Sequence, residues 1–135
     1  MRIQTVTYLF FFAVCTLSGL HAQHEPQVKK GVLDLREYDF NTNGPLEVKG
    51  EFEFYWNQML NPAVQKDSGE MIYARVPGSW THLRKEYPEV TRYGFATYRL
   101  RILLPDRVDE LALRIHDVFS ASGYFLNGKA IDYLG

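Results

Sequence analysis

Alternation of apolar and polar side chains is the feature that most restricts the fold of this chain. In LEVKGEFEFYW, residues 46–56, apolar residues recur at every second position, and glutamate or lysine takes most of the positions between them. A spacing of two places the two sets on opposite faces of a half-buried β-strand. Gly50 interrupts this pattern, and we expect a bulge there. Trp56 shares the parity of the apolar set and is predicted to lie in the core.

Further strand patterns follow along the chain, and an Asn127-Gly128 pair near its end favours a two-residue type I′ hairpin turn. The other predicted strands are GVLDL (31–35), MIYARV (71–76), FATYRLRILLP (95–105), ELALRI (110–115) and the two arms of the hairpin. About seven strands with no convincing amphipathic helix predict an all-β fold, an antiparallel jelly roll or β-sandwich. The last strand leaves an open sheet edge, so we expect a sandwich that is incomplete at its C-terminus, the N-terminal part of a longer product.

The first residues carry the pattern of a secretory signal peptide. A basic Arg2 precedes an apolar stretch over residues 6–14, and Leu20-His21-Ala22 is an acceptable cleavage site. The apolar stretch is shorter than the ~20 residues that a membrane span requires. We therefore predict a signal peptide at 1–22, a flexible leader at 23–30 and one domain at 31–135.

Export removes the only cysteine, Cys15, together with the signal peptide. Cys15 raises the alternative of a lipoprotein, but Val14 stands where a small residue normally precedes the lipidated cysteine. A mature domain without disulfides must be held by packing alone, which suits a bacterial periplasm or the outer face of a bacterial membrane.

The charge composition excludes two classes of partner. Loss of Arg2 with the signal peptide leaves 14 basic side chains against 16 acidic ones. No basic patch indicates nucleic acid, and no polybasic run indicates binding to anionic lipid. Contact with a membrane is expected only through segments downstream of this sequence.

No motif of an enzyme is present in the sequence. It has no HExxH pair, no GxSxG elbow and no phosphate-binding glycine loop. Glu51 and Glu53 share one face of a strand, but the pattern makes that face the solvent side and favours a charged surface over a catalytic pair. His116 and Asp117 lack a third ligand for a metal ion. We predict no catalytic residue, no metal site and no cofactor.

The residue types near the predicted loops favour binding of a small molecule over catalysis. A sugar site needs an aromatic ring for the apolar face of a pyranose and polar groups for its hydroxyls. The aromatic residues near predicted loops are Trp80, Tyr87, Tyr93 and Tyr124, and the polar ones are His82, Arg84, Arg92 and Asn127. From these we select six candidate ligand-binding residues: Trp80, His82, Arg84, Tyr93, Tyr124 and Asn127.

Two of the candidates have structural alternatives. Trp80 ends the segment VPGSW and belongs to neither neighbouring strand, so it could close the end of the sandwich with its indole N–H bonded to a loop carbonyl. Asn127 could be present because a type I′ turn needs a residue that tolerates positive φ. For both residues the structural interpretation is favoured over ligand contact.

The ordered blocks GEFEFYWNQML, VPGSW, YGFATYRLRILLP, LALRI and SASGYFLNGKAI are the basis of a family resemblance. From about Gly31 to Gly135 the chain resembles the extracellular galactose-binding-like jelly-roll domain of bacterial 7TMR-DISM receptors, seven-transmembrane receptors with diverse intracellular signalling modules. The resemblance implies a periplasmic input domain, noncatalytic in itself, that senses a small molecule such as a carbohydrate. The signal would pass to a cyclase, kinase, phosphatase or diguanylate cyclase module.

Two alternatives to a sensor remain open at the level of sequence. VPGSW, YRL and NGK are also similar to the sugar-binding domain of glycoside hydrolase family 2, which implies an accessory domain of a secreted glycosidase. A stand-alone exported binding module is the other alternative.

Overall fold

The computed structural model describes residues 25–60, 69–107, 110–116 and 120–134. The predicted signal peptide and the start of the leader lie outside these residues. The described residues form the strands β1 (Val32–Asp34), β2 (Gly50–Trp56), β3 (Ile72–Val76), β4 (Ala96–Arg99), β5 (Arg101–Leu103), β6 (Ser122–Leu126) and β7 (Lys129–Leu134). The helical elements among them are a short α1 (Phe40–Asn43) and a 3-10 helix (Trp80–Lys85). The regular secondary structure of the described residues is therefore mostly strand, consistent with the predicted all-β class.

The described strands form three small sheets. One has the order β3-β2-β4 with antiparallel pairing, a second pairs β1 with β5, and a third is the hairpin of β6 and β7. The pairing of β1 with β5 is parallel, with Leu33 opposite Ile102. The expectation of a purely antiparallel fold is wrong for this pair.

The parallel pair exists because the predicted strand 95–105 is two strands. It breaks at Leu100, after β4 has paired with β2 and before β5 pairs with β1. The side chain of Leu100 packs against the cluster of Val28, Leu33 and Leu35. Continuous alternation cannot reveal such a break, since a strand that changes neighbours keeps its period of two.

Strand β2 is covered on both faces near its end. Phe54 is fully buried on one face, and Tyr55 on the other face is 1% exposed. Glu53, which shares the face of Tyr55, is 20% exposed and accepts a hydrogen bond from Nε of Arg99 at 2.5 Å. The predicted parity of the strand is correct, but Glu53 is not on an open solvent face, because Arg99 of β4 lies beside it.

The segment before β1 is packed rather than free. Val28 is buried; its N–H donates to the carbonyl of Lys49, and its carbonyl accepts from the N–H of Glu51. Part of the leader expected to be flexible thus adds a short backbone pairing beside β2 and an apolar side chain to the core. A single valine in a polar segment gives no periodic signal from which this could be predicted.

Gly50 permits this close approach. Its φ is +135°, and a Cβ at this position would overlap the carbonyl oxygen of Val28 and lie 2.8 Å from its nitrogen. Gly50 is the first residue of β2, opposite Val76 in the pairing with β3, so the expected bulge inside a longer strand is replaced by a strand start. The residues before it, Leu46 and Val48, pack against the cluster around Val28.

Two apolar clusters hold the described core. The first consists of Val28, Leu33 and Leu35, and the second of Phe54, Ala74 and Val90. Partly buried side chains packed on the second cluster are Trp56, Ile72, Trp80, Leu83, Tyr87 and Ala96. The second cluster joins the antiparallel sheet to the segment 80–90 and positions the corner described below.

The C-terminal part matches the predictions in one element and not in another. Asn127 and Gly128 have φ of 49° and 80°, and Leu126 pairs with Lys129, as predicted for a two-residue turn with positive φ at both positions. The predicted strand 110–115 is not a strand, and its Leu113 is exposed. An isolated extended segment lacks the neighbour that its backbone hydrogen bonds need, and no described strand pairs with it.

Within the described part of the chain, no helix is long and apolar enough to cross a membrane.

We predict that Gly50→Ala lowers the free energy of unfolding by at least about 2 kcal/mol, because both the positive φ and the overlap with Val28 oppose a side chain. Gly44→Ala is the matched control: Gly44 has φ of +74°, but a Cβ there meets nothing within 4 Å, so we expect a loss of about 1 kcal/mol. Urea unfolding followed by tryptophan fluorescence measures both. Equal losses would contradict the assigned role of Gly50.

Candidate functional site

The segment VPGSW forms the corner between β3 and the 3-10 helix. Strand β3 ends at Val76, a cis peptide bond joins Val76 to Pro77, and Ser79 caps the helix that begins at Trp80. Oγ of Ser79 accepts a hydrogen bond from the N–H of Thr81 at 3.3 Å. Serine at this position satisfies a backbone N–H that has no partner within the helix.

Trp80 packs from this corner onto the aromatic side chains of β2. Its ring centroid is 5.7 Å from that of Trp56 and 6.5 Å from that of Phe54. Its indole N–H donates to the carbonyl of Thr91 at 3.1 Å. This hydrogen bond to a loop carbonyl is the one expected if Trp80 closes the sheet, and the geometry supports a structural role for the residue.

The segment 81–94 covers a face of the antiparallel sheet. Its Val90 is fully buried with Phe54, and Leu83 and Tyr87 pack on the same cluster. Desolvation raises the pKa of the Tyr87 hydroxyl, and the charge of the neighbouring Glu86 carboxylate raises it further. Val90 thus anchors the segment on the central strand of the sheet.

The loop 91–95 presents Tyr93 to solvent. Oγ1 of Thr91 donates to the carbonyl of Tyr93 at 2.6 Å, and the N–H of Asn57 donates to the carbonyl of Phe95 at 2.9 Å. Tyr93 is 81% exposed, and Cζ of Arg92 lies 5.6 Å from the centroid of its ring. The loop is therefore held by hydrogen bonds on both sides of a ring that projects outward.

Gly94 brings the loop onto Trp56. A Cβ at Gly94 would lie 2.7 Å from Cζ2 of the Trp56 ring and 3.1 Å from Oδ1 of Asn57. Trp56 is half-buried and stacks on Phe54 with 17° between the ring planes. Its Nε1 is buried and finds no acceptor in the described part of the chain. The core position predicted for Trp56 thus borders the loop that carries Tyr93.

The six predicted ligand-binding residues fall into two groups. Trp80, His82 and Arg84 belong to the 3-10 helix, and Tyr93 is linked to Trp80 through Thr91. His82 and Arg84 are exposed.

Tyr124 and Asn127 belong to the hairpin, which forms a separate sheet. The Tyr124 hydroxyl accepts from Oγ of Ser122 at 3.1 Å, and Asn127 has the positive φ expected from its turn. No contact described in the structure joins this pair to Trp80 or Tyr93.

Thr91 and Gly94 are the residues of this corner that the sequence analysis did not single out. Thr91 holds Trp80 by its carbonyl and Tyr93 by its hydroxyl. The available signal was the run TRYG directly before a strong strand, where a glycine often marks close approach of the backbone to another group.

A groove of about 330 Å³ lies elsewhere, between residues 27–29, 49–51 and 75–77. Its lining carries the cations Lys29, Lys49 and Arg75 together with the carboxylate of Glu51, and no aromatic ring. Nζ of Lys49 is already bound by Glu25 and Glu47. Since a sugar site needs an aromatic surface, the corner around Tyr93 is the better candidate for such a site.

The described residues contain no group of three His, Cys, Asp or Glu side chains placed to hold a metal ion. Asp117, the neighbour of His116 in the sequence, lies outside the described residues.

No protein-family model, curated protein or solved structure matches this chain.

We predict that Trp80→Ala lowers the free energy of unfolding by about 3 to 5 kcal/mol, because it removes a large ring from the cluster of Phe54 and Trp56. Trp80→Phe keeps most of the packing and loses the bond to Thr91, so about 1 kcal/mol is expected. Tyr93→Ala, at an exposed ring, should change stability by less than about 0.5 kcal/mol. Thermal unfolding of the three variants measures this order, and a Trp80→Ala variant as stable as the wild type would refute the structural role.

Proposed function

We propose that this chain is the ligand-sensing input domain of a bacterial membrane receptor, exported to the periplasm, and that its ligand is a carbohydrate. In this proposal the fold is a jelly roll of the galactose-binding type, noncatalytic in itself. The alternation pattern, the resemblance to the 7TMR-DISM receptor domain and the exposed aromatic corner support it.

The exposed ring of Tyr93 is the observation that supports a carbohydrate as the ligand. A pyranose presents an apolar face of C–H groups that packs on an aromatic ring, and its hydroxyls require hydrogen-bond partners. Tyr93 is 81% exposed even with Arg92 beside it, so most of the ring is accessible to a ligand. The guanidinium of Arg92 has donors for hydroxyl oxygens at the same place.

Trp80 acts in this proposal by positioning rather than by stacking. Its bond to Thr91 fixes the residue that in turn bonds to the backbone of Tyr93. A site held on packed strands keeps its geometry better than one on a free loop. Trp80 thus makes the corner rigid, and Tyr93 meets the ligand.

The proposed jelly roll gains support from the break at Leu100. In sandwiches with a corner, a strand leaves one sheet and enters the other through a bend. Here β4 and β5 are separated by the single residue Leu100 and pair in two different sheets. The hairpin of β6 and β7 would supply further strands of the sandwich.

The proposed binding is tested by titration calorimetry of the purified chain with galactose oligosaccharides, neutral and acidic. We expect Tyr93→Ala to weaken binding by about tenfold or more, since it removes the stacking surface. Tyr133→Ala is the matched control, because Tyr133 is also an exposed tyrosine but lies in the separate hairpin sheet. Binding that is equally weakened in both variants, or absent from the wild type with every saccharide, would contradict the proposal.

Export is tested separately. When the full chain is expressed in a bacterium, we expect it in the periplasmic fraction with Gln23 as its first residue, since cleavage after Ala22 fits the signal pattern. N-terminal sequencing of the purified chain gives the answer. A chain that retains Met1 and stays in the cytoplasm would rule out the periplasmic assignment without affecting the binding test.

A further inference from the structure

The segment 80–94, which carries Tyr93, has basic side chains that form no ion pair in the described part of the chain. Arg92 lies against the Tyr93 ring and has no ion-pair partner among the described residues. The 3-10 helix that begins at Trp80 adds Arg84 and Lys85 in its last turn, and neither has an ion-pair partner in the described part of the chain. His82 is a further basic group of that turn.

The same segment also carries the carboxylates of Glu86 and Glu89. Glu86 and Glu89 both act on the Tyr87 hydroxyl, whose pKa is raised first by desolvation and then by these charges. Neither carboxylate forms an ion pair with Arg92 in the described structure. By contrast, Arg99 of the antiparallel sheet forms an ion pair with Glu53.

We propose that the ligand at Tyr93 is an acidic saccharide, with its ring stacked on Tyr93 and its carboxylate bound by the guanidinium of Arg92. This inference rests on the proposed carbohydrate binding and specifies its substrate class. A guanidinium binds a carboxylate through two parallel N–H···O bonds, which are stronger than bonds to a neutral hydroxyl.

Galacturonate and galactose oligomers of equal length are the probes, because they differ at C6 in a carboxylate against a hydroxymethyl group. Calorimetry at low salt should show the acidic trimer binding at least about tenfold more tightly than the neutral one. The preference should shrink as salt is added, since exposed charges are screened.

Arg92→Gln is the decisive variant. We expect it to remove the preference for the acidic trimer: the acidic trimer should lose about tenfold more affinity than the neutral trimer, which gives up only hydrogen bonds between Arg92 and uncharged hydroxyls. Arg101→Gln is the matched control, because Arg101 is an exposed arginine of β5 in another sheet. It should keep the full preference. Arg92 is exposed, so a thermal melt like that of the wild type is expected to confirm that the variant is folded.

The outcomes separate the two proposals. If both trimers bind with equal affinity, or if the preference survives in Arg92→Gln, the acidic ligand class is wrong while carbohydrate binding stands. If neither trimer binds to the wild-type chain, both proposals fall. Loss of preference in the Arg101→Gln control would also overturn the inference, since the effect would then come from net charge alone.

Discussion

Burial of β2 on both faces is the constraint on which the rest of the described structure depends. Phe54 belongs to the second apolar cluster, which holds the segment 80–90, and Tyr55 is buried on the opposite face of the strand. At its start the same strand meets the backbone of Val28, which only a glycine at position 50 allows. Strand β2 is packed on both faces and paired along both edges. It cannot shift its register by one residue, because every side chain would then change faces.

Much of the fold follows from local rules, and its exceptions arise where partners are chosen over long distances. The parity of β2 and the turn at Asn127-Gly128 are properties of neighbouring residues, so the sequence predicts them. The break at Leu100 and the burial of Val28 depend on which strand lies alongside, and a period of two carries no information about that neighbour. For the same reason ELALRI reads as a strand although no described strand pairs with it.

The candidate site could be predicted in its residue types but not in its arrangement. VPGSW marks a corner, and the expected bond from the Trp80 indole to a loop carbonyl is present. The grouping of Trp80 with Tyr124 and Asn127 required knowledge of which loops meet, and the structure places the latter two in another sheet. Trp80 and Tyr93 are both aromatic residues near a turn, but Trp80 is half-buried against Phe54 and Trp56, whereas Tyr93 is 81% exposed. The sequence pattern does not distinguish these two environments.

Leu100 alone separates β4 from β5, so a single residue connects two different sheets. From the loop that carries Tyr93 the backbone continues along β4, through Leu100 and into β5, with no loop between the two strands. Leu100 packs on the first apolar cluster, whereas Ala96 of β4 packs on the second. A single residue leaves little length of chain between the two strands, so the position of β4 restricts that of β5 and, through backbone pairing, that of β1.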